Sequence, residues 1–450
     1  MQRRSEGGPR RGAPVVLALA AAVGAAAAGG VWLFKRATDA AEWMAHGWTA
    51  ESWSAAPPLL VFLAPVAGGL VVGLVLHLRR IPEEPGHGVS EVIEAVTLGI
   101  HEFPDRPTPT KAVVAALSLG SGAALGPEDP SVEIGGSLGE VIGRKTGLDH
   151  DAVQSLVAAG AAGGMAAAFL APLAAVAFAV EVFSLRLLSR TAAAVALAAG
   201  AAFLLMRWIE PAAEPRVPAL GGLGWREPAL CAALGAAAGA VSALLVVAMY
   251  RLEHAVVAWD APPRWVKPAM GGAVLGAAGV AMPELLGIGY GTLEEVLGGE
   301  RMALGVLLLL AGGKLALMVV SFGSGFLGGF FAPSLFVGAA LGAAFGTGAG
   351  MLLPGLDAEP AAFAVVGMAA LLAGSVRAPA AAVLLVVALG AGWGLLPHLA
   401  AAAVVSFVVS RALERHSLYT YGIEHPARKR RRQGGGTPER DVVGGMEPAG

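Results

Sequence analysis

The sequence predicts an all-helical, polytopic membrane protein with two inverted-topology repeats, whose broken, re-entrant helices meet at an anion site near the membrane midplane. Hydrophobic residues make up 56% of the chain and charged residues only 14%. Uncharged stretches such as 12–34 are longer than the roughly 20 residues that a membrane-spanning helix needs. A glycine-rich stretch at 111–139 returns at 314–342, and broken helices at corresponding positions of two repeats are typical of transport sites.

The repeated stretches agree without a gap at 11 of 29 positions, among them Gly126 with Gly329 and Pro130 with Pro333. Each is an apolar segment, a glycine-rich break, a Pro-Ser pair and a second apolar segment. Proline is favoured in the first turn of a helix, and glycine lets the backbone bend and come close to a ligand. Each copy is therefore predicted to aim a helix N-terminus at the break, and two such positive ends make an anion site.

A second pair of similar stretches, 160–182 and 367–389, extends the repeat. We expect the repeat halves at about 110–210 and 310–415, inverted if an odd number of crossings separates them. The segments expected in chain order are a cytoplasmic tail at 1–11, a transmembrane domain at 12–420 beginning with spans at 12–34 and 58–78, and a cytoplasmic, disordered tail at 421–450.

Basic residues flank the apolar region at both ends, at 3–11 and 428–432. By the positive-inside rule both termini are expected in the cytoplasm, which requires an even number of crossings of the cell membrane. The alternative, a cleaved signal peptide over 1–34, has an apolar run longer than the usual h-region. Cys231 is the single cysteine, and CxxC and HExxH spacings are absent. We therefore expect no disulfide, metal or cofactor, and the lipid bilayer rather than nucleic acid as surroundings.

Five motifs resemble, in order and spacing, the CLC chloride channels and chloride/proton antiporters of the prokaryotic type, which lack CBS domains. The likeness covers roughly residues 60–420. The motifs are GPEDPSVEIGG, APLAAVAFAVEV, GGFFAPSLFVGA, GMAALLAGSVRAP and SLYT. The resemblance implies the CLC fold, chloride as the transported ligand, and a homodimer with one pore per subunit.

Two of these motifs carry residues that the resemblance places at the anion. The family's GREGP-like motif holds a gating glutamate, whose carboxylate occupies an anion position until it is protonated or displaced. GPEDP puts Glu128 in that role, with Pro127 in place of arginine and Asp129 in place of glycine. The GxFAP motif implies anion-binding backbone amides at Phe330 and Phe331.

Two further positions complete the site that the resemblance implies. SLYT places Tyr419 where the family has the tyrosine that closes the inner side of the pore. The family's GSGIP loop matches GHGVS, which assigns anion contacts to His87, Gly88 and Val89. His87 then replaces the usual serine and Ser90 the usual proline.

One position bears on proton coupling. The family's antiporters have two adjacent glutamates after APLAxxxFxx, and the second relays protons from the cytoplasm. Here Glu181 is followed by Val182, which resembles the passive channels of the family.

Several of these residues have plainer structural interpretations. Glu128 and Asp129 precede a helix, where the dipole alone favours acidic residues. For Glu133 we favour a carboxylate hydrogen-bonded to a neighbouring loop. His87 is either an anion ligand or a neutral ring packed at a loop, and Tyr419 either a pore residue or an interfacial aromatic.

For the recurring Lys111 and Lys314, an architectural task such as snorkelling or binding a helix C-terminus is favoured over anion contact. For Arg377 in GSVRAP we expect a structural role.

The function expected from the sequence is passive chloride transport by a voltage-gated-type channel, gated by Glu128 and without enzymatic activity. Selectivity is expected from helix N-termini that replace the water shell of the anion. The alternatives are a chloride/proton antiporter, a fluoride-handling relative and an intramembrane hydrolase. The hydrolase is disfavoured because GxSxG and HExxH motifs are absent.

Overall fold

The computed structural model describes residues 13–46, 53–79, 81, 88–98, 107–211, 227–300, 302–353 and 359–420, which are almost entirely helical. The predicted all-helical fold is therefore confirmed. The tails at 1–11 and 421–450, and His87, lie outside the described residues. The α-helices are α1 Ala13–His46, α2 Pro58–Arg79, α3 Val89–Ile93, α4 Pro107–Gly120, α5 Glu128–Lys145, α6 His150–Phe169, α7 Pro172–Val182, α8 Arg190–Ile209, α9 Pro228–Ala258, α10 Lys267–Ala281, α11 Tyr290–Leu297, α12 Leu304–Ser324, α13 Phe331–Leu352, α14 Pro360–Val376, α15 Pro379–Val386 and α16 Leu396–Leu413.

Within the described ranges, eight helices are long and apolar enough to cross a membrane. They are α1, α2, α6, α8, α9, α12, α13 and α16, the last extended by a 3-10 turn. The protein is thus a multi-pass membrane protein. Which side each terminus faces stays a prediction.

The first helix is longer than the predicted first span. The apolar run ends at residue 34, but α1 has 34 residues and is about 51 Å long, well beyond the ~30 Å hydrocarbon core. Its first two basic residues find partners on neighbouring helices. Lys35 Nζ donates to the Ala167 carbonyl at 3.4 Å, and Arg36 pairs with Glu210 at 3.1 Å. Lysine and arginine are good helix formers, so these residues continue the helix, and contacts with neighbouring segments accommodate their charges.

The two glycine-rich breaks lie directly against each other. Gly126 N–H donates to the Gly329 carbonyl at 2.8 Å, and Gly329 N–H donates back to Gly126 at 2.6 Å, in an antiparallel bridge. These glycines are equivalent residues of the two copies, 203 positions apart. Reciprocal pairing of a residue with its own equivalent is the mark of a two-fold axis between them.

A second pair of hydrogen bonds has the same symmetry. Ser118 Oγ accepts from Leu327 N–H at 3.1 Å, and Ser321 Oγ accepts from Ala124 N–H at 3.0 Å. The two serines are equivalent, and so are the two donors. The copies therefore run in opposite directions across their junction, which confirms the inverted repeat.

The second pair of repeated stretches forms the breaks between α6 and α7 and between α14 and α15. Leu170 and Arg377 end the first helix of each pair in the left-handed conformation, with φ of 54° and 63°. Few non-glycine residues adopt that conformation, so its recurrence indicates a shared backbone path. An Ala-Pro step then starts the next helix at Pro172 and Pro379.

The same offset also relates α2 and α10, which lie before the predicted repeat halves. Pro65 is equivalent to Pro268, and Gly69 to Gly272. A Cβ on Gly69 would lie 2.3 Å from the Pro268 carbonyl oxygen, and one on Gly272 would lie 2.1 Å from that of Pro65. The two helices thus cross at equivalent glycines, with their backbones in contact.

Glycine contacts of this kind also hold α5 against α6. A Cβ on Gly135 would lie 2.0 Å from the Gly160 carbonyl oxygen, and one on Gly160 would lie 2.0 Å from that of Gly135. Gly338 and Gly367 repeat the contact between α13 and α14, at 2.4 and 2.1 Å. This packing through small residues brings the helix starts close to one another.

Candidate anion-transport site

Helix starts from both repeats converge at the bridge. Immediately after the bridging glycines, α5 begins at Glu128 and α13 at Phe331. The prolines predicted for the first turns, Pro130 and Pro333, lie there and are buried. Free N–H groups and positive helix dipoles from both copies therefore face one small region, which suits an anion.

Glu128 lies in this region and is fully buried. Its Oε1 accepts the Ala332 N–H at 3.2 Å, while Oε2 is buried and accepts no hydrogen bond from any residue that the structure describes. The donor lies one residue beyond the predicted pair, Phe330 and Phe331. The carboxylate thus occupies the start of α13, where a small anion would be bound.

The bridging glycines make room for this carboxylate. A Cβ on Gly126 would lie 2.2 Å from Glu128 Oε2, and one on Gly329 would lie 2.7 Å from Glu128 Cδ. A Cβ at either glycine would therefore displace the Glu128 carboxyl group from this position. At Gly329 it would also lie 2.8 Å from the Asp129 backbone nitrogen, which cannot move aside as a side chain can.

Tyr419 lies on the other side of the α5 start. Its ring is buried, stacked on Phe331 with 6.5 Å between ring centroids, and edge-on to Phe178 at 6.4 Å. Its hydroxyl donates to Asp129 Oδ1 at 3.2 Å. The predicted pore tyrosine and the start of α5 are thus in contact, through a residue that the sequence left as a simple helix-end acid.

The segment that carries Tyr419 is held from three directions. Ser90 Oγ, in α3, donates to the Tyr419 carbonyl at 3.0 Å. The Tyr250 hydroxyl, in α9, donates to the Leu418 carbonyl, and Leu418 N–H donates to the Ser375 carbonyl at 3.1 Å. Sequence analysis missed these anchoring contacts, although the departure of Ser90 from the family's proline was visible.

Arg377 has the structural role expected of it. It donates to the Arg415 carbonyl at 2.6 Å and also to the Glu414 carbonyl, which ties the end of α14 to the chain that leads to Tyr419. Burial raises the pKa of Glu414, but hydrogen bonds from the backbone and ring of His416 outweigh that effect, so the pKa lies below its usual value.

The start of α3 approaches the same region. Gly88 precedes α3 with φ 71°, and its Cβ, if present, would lie 2.9 Å from the Asp129 Cβ. Val89 is buried as the first residue of α3. The structure therefore brings Gly88 to Asp129, while His87 falls outside the described residues.

Glu181 and Val182 end α7 one turn beyond Phe178, which contacts the tyrosine. Glu181 is directed at another helix start: its two carboxylate oxygens accept the N–H groups of Ala380 and Ala381, both at 2.9 Å. Val182 is buried. The glutamate thus caps α15, and its neighbour provides no ionisable group.

The recurring lysines are both buried and differ in their partners. Lys314 Nζ donates to the carbonyls of Leu285 and Gly287 at 3.0 and 2.6 Å, so it binds the end of a short helical turn. Lys111 instead pairs with Glu91 at 2.5 Å and Glu133 at 3.3 Å. The prediction that these lysines snorkel to the membrane interface is therefore wrong for both. The loop partner expected for Glu133 is also wrong, because its partner is a lysine.

Comparison with known proteins identifies relatives of this architecture. The family model described as "Voltage gated chloride channel" matches residues 68–411. A ClcB-like chloride channel protein of Ralstonia nicotianae is 30% identical over 416 residues, which cover 90% of this chain and 95% of that protein. An H(+)/Cl(-) exchange transporter ClcA of Vibrio parahaemolyticus is 34% identical over 360 residues, covering 78% and 76%.

The solved structures include a similar fold. The crystal structure of a slow cyanobacterial Cl-/H+ antiporter superposes with a TM-score of 0.81 at 26% identity, covering 93% of this chain and 99% of that one. The similarity extends over nearly the whole of both chains.

Proposed function

The chain belongs to the CLC family of voltage-gated chloride channels and chloride/proton exchangers, and on that premise we propose that it exchanges chloride for protons, with Glu128 carrying the proton. Family membership implies chloride transport across the membrane. The coupling to protons is the finer part of the proposal.

The observation that carries the proposal is the position of the Glu128 carboxylate. Ionised, it occupies the start of α13, accepts the Ala332 amide and keeps chloride out of that position. Protonated, it loses the charge that the helix N-terminus stabilises, so it leaves and chloride enters. Because one carboxyl group alternates with one anion, the two fluxes are linked.

Chloride selectivity is assigned to the backbone. Amide groups at the starts of α5 and α13 replace part of the water shell of the anion without a full counter-charge, so the ion is held weakly enough to leave. We further propose a homodimer, one pore per subunit and cytoplasmic termini.

Passive conduction is the second candidate, and Val182 favours it. Sequence analysis preferred this channel, because the second glutamate of the antiporters is missing. The relatives named as exchangers, at up to 34% identity, favour exchange. Glu181 supports neither alternative, because its carboxylate is engaged by the α15 amides.

The test uses purified protein in liposomes with a chloride gradient and a potassium ionophore that clamps the voltage. We expect chloride flowing down its gradient to drive protons uphill. Glu128→Gln should keep the chloride flux but reduce proton flux at least about tenfold, because its amide cannot carry a proton. Glu300→Gln, at an exposed position, is the matched control. Chloride flux with no proton movement in the unaltered protein would leave passive conduction as the function.

A further inference from the structure

Asp129 is a buried carboxylate to which the proposed exchange assigns no task. It stands where the resemblance has glycine and is 5% exposed. Its Oδ1 accepts the hydroxyl of Tyr419 at 3.2 Å, and its Cβ lies against Gly88 at the start of α3. The side chain therefore fills the space between two helix starts and the tyrosine.

That space has the properties of a second anion position. The start of α5 supplies a positive dipole end, and Tyr419 supplies a hydroxyl donor. The Asp129 carboxylate has the charge and hydrogen-bond acceptors that a chloride would have there. It thus stands in for an anion, as Glu128 does at the start of α13.

A second titratable carboxyl group adjoins Asp129. Glu133 follows four residues later on α5, on the same face of the helix, and its buried Oε1 lies 3.3 Å from Lys111 Nζ. Asp129, Glu133, Lys111 and Gly88 line one cavity of about 30 Å³, room for about one or two water molecules.

The cavity leads to a partly exposed acid. Lys111 links Glu133, at 3.3 Å, to Glu91, at 2.5 Å, and the Glu91 side chain is 20% exposed. Acidic groups therefore run from Asp129 along α5 to Glu133 and, through Lys111, to the partly exposed Glu91, a route that does not include Val182.

We propose that Asp129 is a second proton-carrying carboxylate of the transport path: ionised, it occupies the anion position beside Tyr419, and protonated, it yields that position to chloride. The proton enters from solution: cavity water takes up one proton for each that it gives to Glu133, and the proton then resides on an Asp129 carboxylate oxygen and passes to Glu128. Only O–H bonds form and break. As a coupling step, this inference rests on the proposed exchange.

A purely structural carboxylate at this point is the alternative. Acidic residues at exposed helix starts gain from the dipole at little cost. Asp129 is buried beside Glu128 and one turn from Glu133. Burial and repulsion by these carboxyl groups destabilise its ionised form by more than the helix dipole stabilises it. The groups facing it are Glu128, Glu133 and Tyr419, with Lys111 and Glu91 beyond them.

The experiment measures chloride affinity by titration calorimetry of the full chain in detergent, between pH 5 and pH 8. Glu128→Gln serves as background, because it removes the titration of Glu128. In that background we expect affinity to be at least about tenfold higher at pH 5 than at pH 8, since protonated Asp129 no longer competes. Adding Asp129→Asn should abolish the pH dependence and hold affinity at its acidic value.

Two further variants keep the result interpretable. Asp129→Gly, the family's residue, replaces Asp129→Asn if the latter does not fold. Asp151→Asn, at an exposed aspartate on α6, should leave the pH dependence unchanged. In liposomes, Asp129→Asn alone should retain chloride flux and lower the proton-to-chloride ratio about tenfold, because protons lose their carrier.

The outcomes separate the two proposals. If the unaltered protein drives protons uphill but Asp129→Asn changes neither the pH dependence nor the flux ratio, the Asp129 inference is wrong and exchange stands. If the unaltered protein moves no protons but Asp129→Asn abolishes the pH dependence, Asp129 occupies the anion position and exchange is wrong.

Discussion

Tyr419 is placed by contacts to its own backbone and to that of the preceding residue. Its carbonyl accepts the Ser90 hydroxyl from α3, while the Leu418 carbonyl accepts the Tyr250 hydroxyl from α9. Neither residue belongs to a repeated stretch. The tyrosine that meets the start of α5 is thus anchored to two helices that are far from it in sequence.

We predict that Ser90→Ala destabilises the protein by about 1–3 kcal/mol, because it leaves the buried Tyr419 carbonyl without that donor. The looser tyrosine should also lower the rate of chloride transport. Thermal unfolding of the purified protein in detergent and chloride efflux from liposomes measure the two effects.

Ser54→Ala is the control, because Ser54 is exposed in the turn before α2. It should change neither quantity. Equal stability of Ser90→Ala and the unaltered protein would mean that the other anchors suffice to hold Tyr419.

The sequence predicted Glu128, Phe331 and Tyr419 for the site because each lies in a local motif. It did not identify Asp129 as the partner of Tyr419, because the two are 290 positions apart and pair only in three dimensions. The same holds for Ser90, whose bond to Tyr419 spans 329 positions. Motifs predict which groups reach the site, whereas the contacts between those groups depend on how the helices cross.

At the scale of helices, glycine sets how closely neighbours approach. We predict that Gly135→Ala destabilises the protein by about 1–3 kcal/mol, because the new methyl group would lie 2.0 Å from the Gly160 carbonyl oxygen, and α5 and α6 must then separate. Since α5 carries Glu128 at its start, chloride flux should fall as well. Thermal unfolding in detergent and liposome flux are the measurements.

Gly200→Ala in α8 is the matched control, because no described residue outside the same helix lies within 4 Å of the added methyl group. Alanine is the better helix former, so this variant should be more stable by about 0.5–1 kcal/mol. A similar loss in both variants would show that helix propensity, and not the crossing of α5 and α6, decides the effect.

The sequence contains 64 glycines but does not show which of them meet. Pro65 and Gly69 recur as Pro268 and Gly272, yet this short P-x-x-x-G pattern is weak within a glycine-rich sequence. The reciprocal contact of α2 with α10 shows that the two copies of this pattern are structurally equivalent. The length of α1 was also underestimated, since charge alone does not show that a neighbouring helix will pair with Lys35.

At the scale of the whole molecule, the two-fold relation between the repeats makes a quantitative prediction. Ser118→Ala and Ser321→Ala each remove the acceptor for one backbone amide of the opposite copy, the part-buried amide of Leu327 or the buried amide of Ala124. Because the sites are equivalent and both serines are fully buried, each variant should lose about 1–3 kcal/mol, in similar amounts.

The double variant should lose a different amount from the sum of the single ones, because both bonds hold the bridge beside Glu128 and neighbouring interactions are coupled. Thermal unfolding in detergent measures the stability of the unaltered protein, of each single variant and of the double variant. Ser121→Ala is the control: its hydroxyl donates only within its own copy, to the Ser118 carbonyl, which still accepts the Ala123 amide. Strictly additive losses of stability would mean that the two serine hydrogen bonds act independently. The position of the Glu128 carboxylate would then be set by the two helix starts alone.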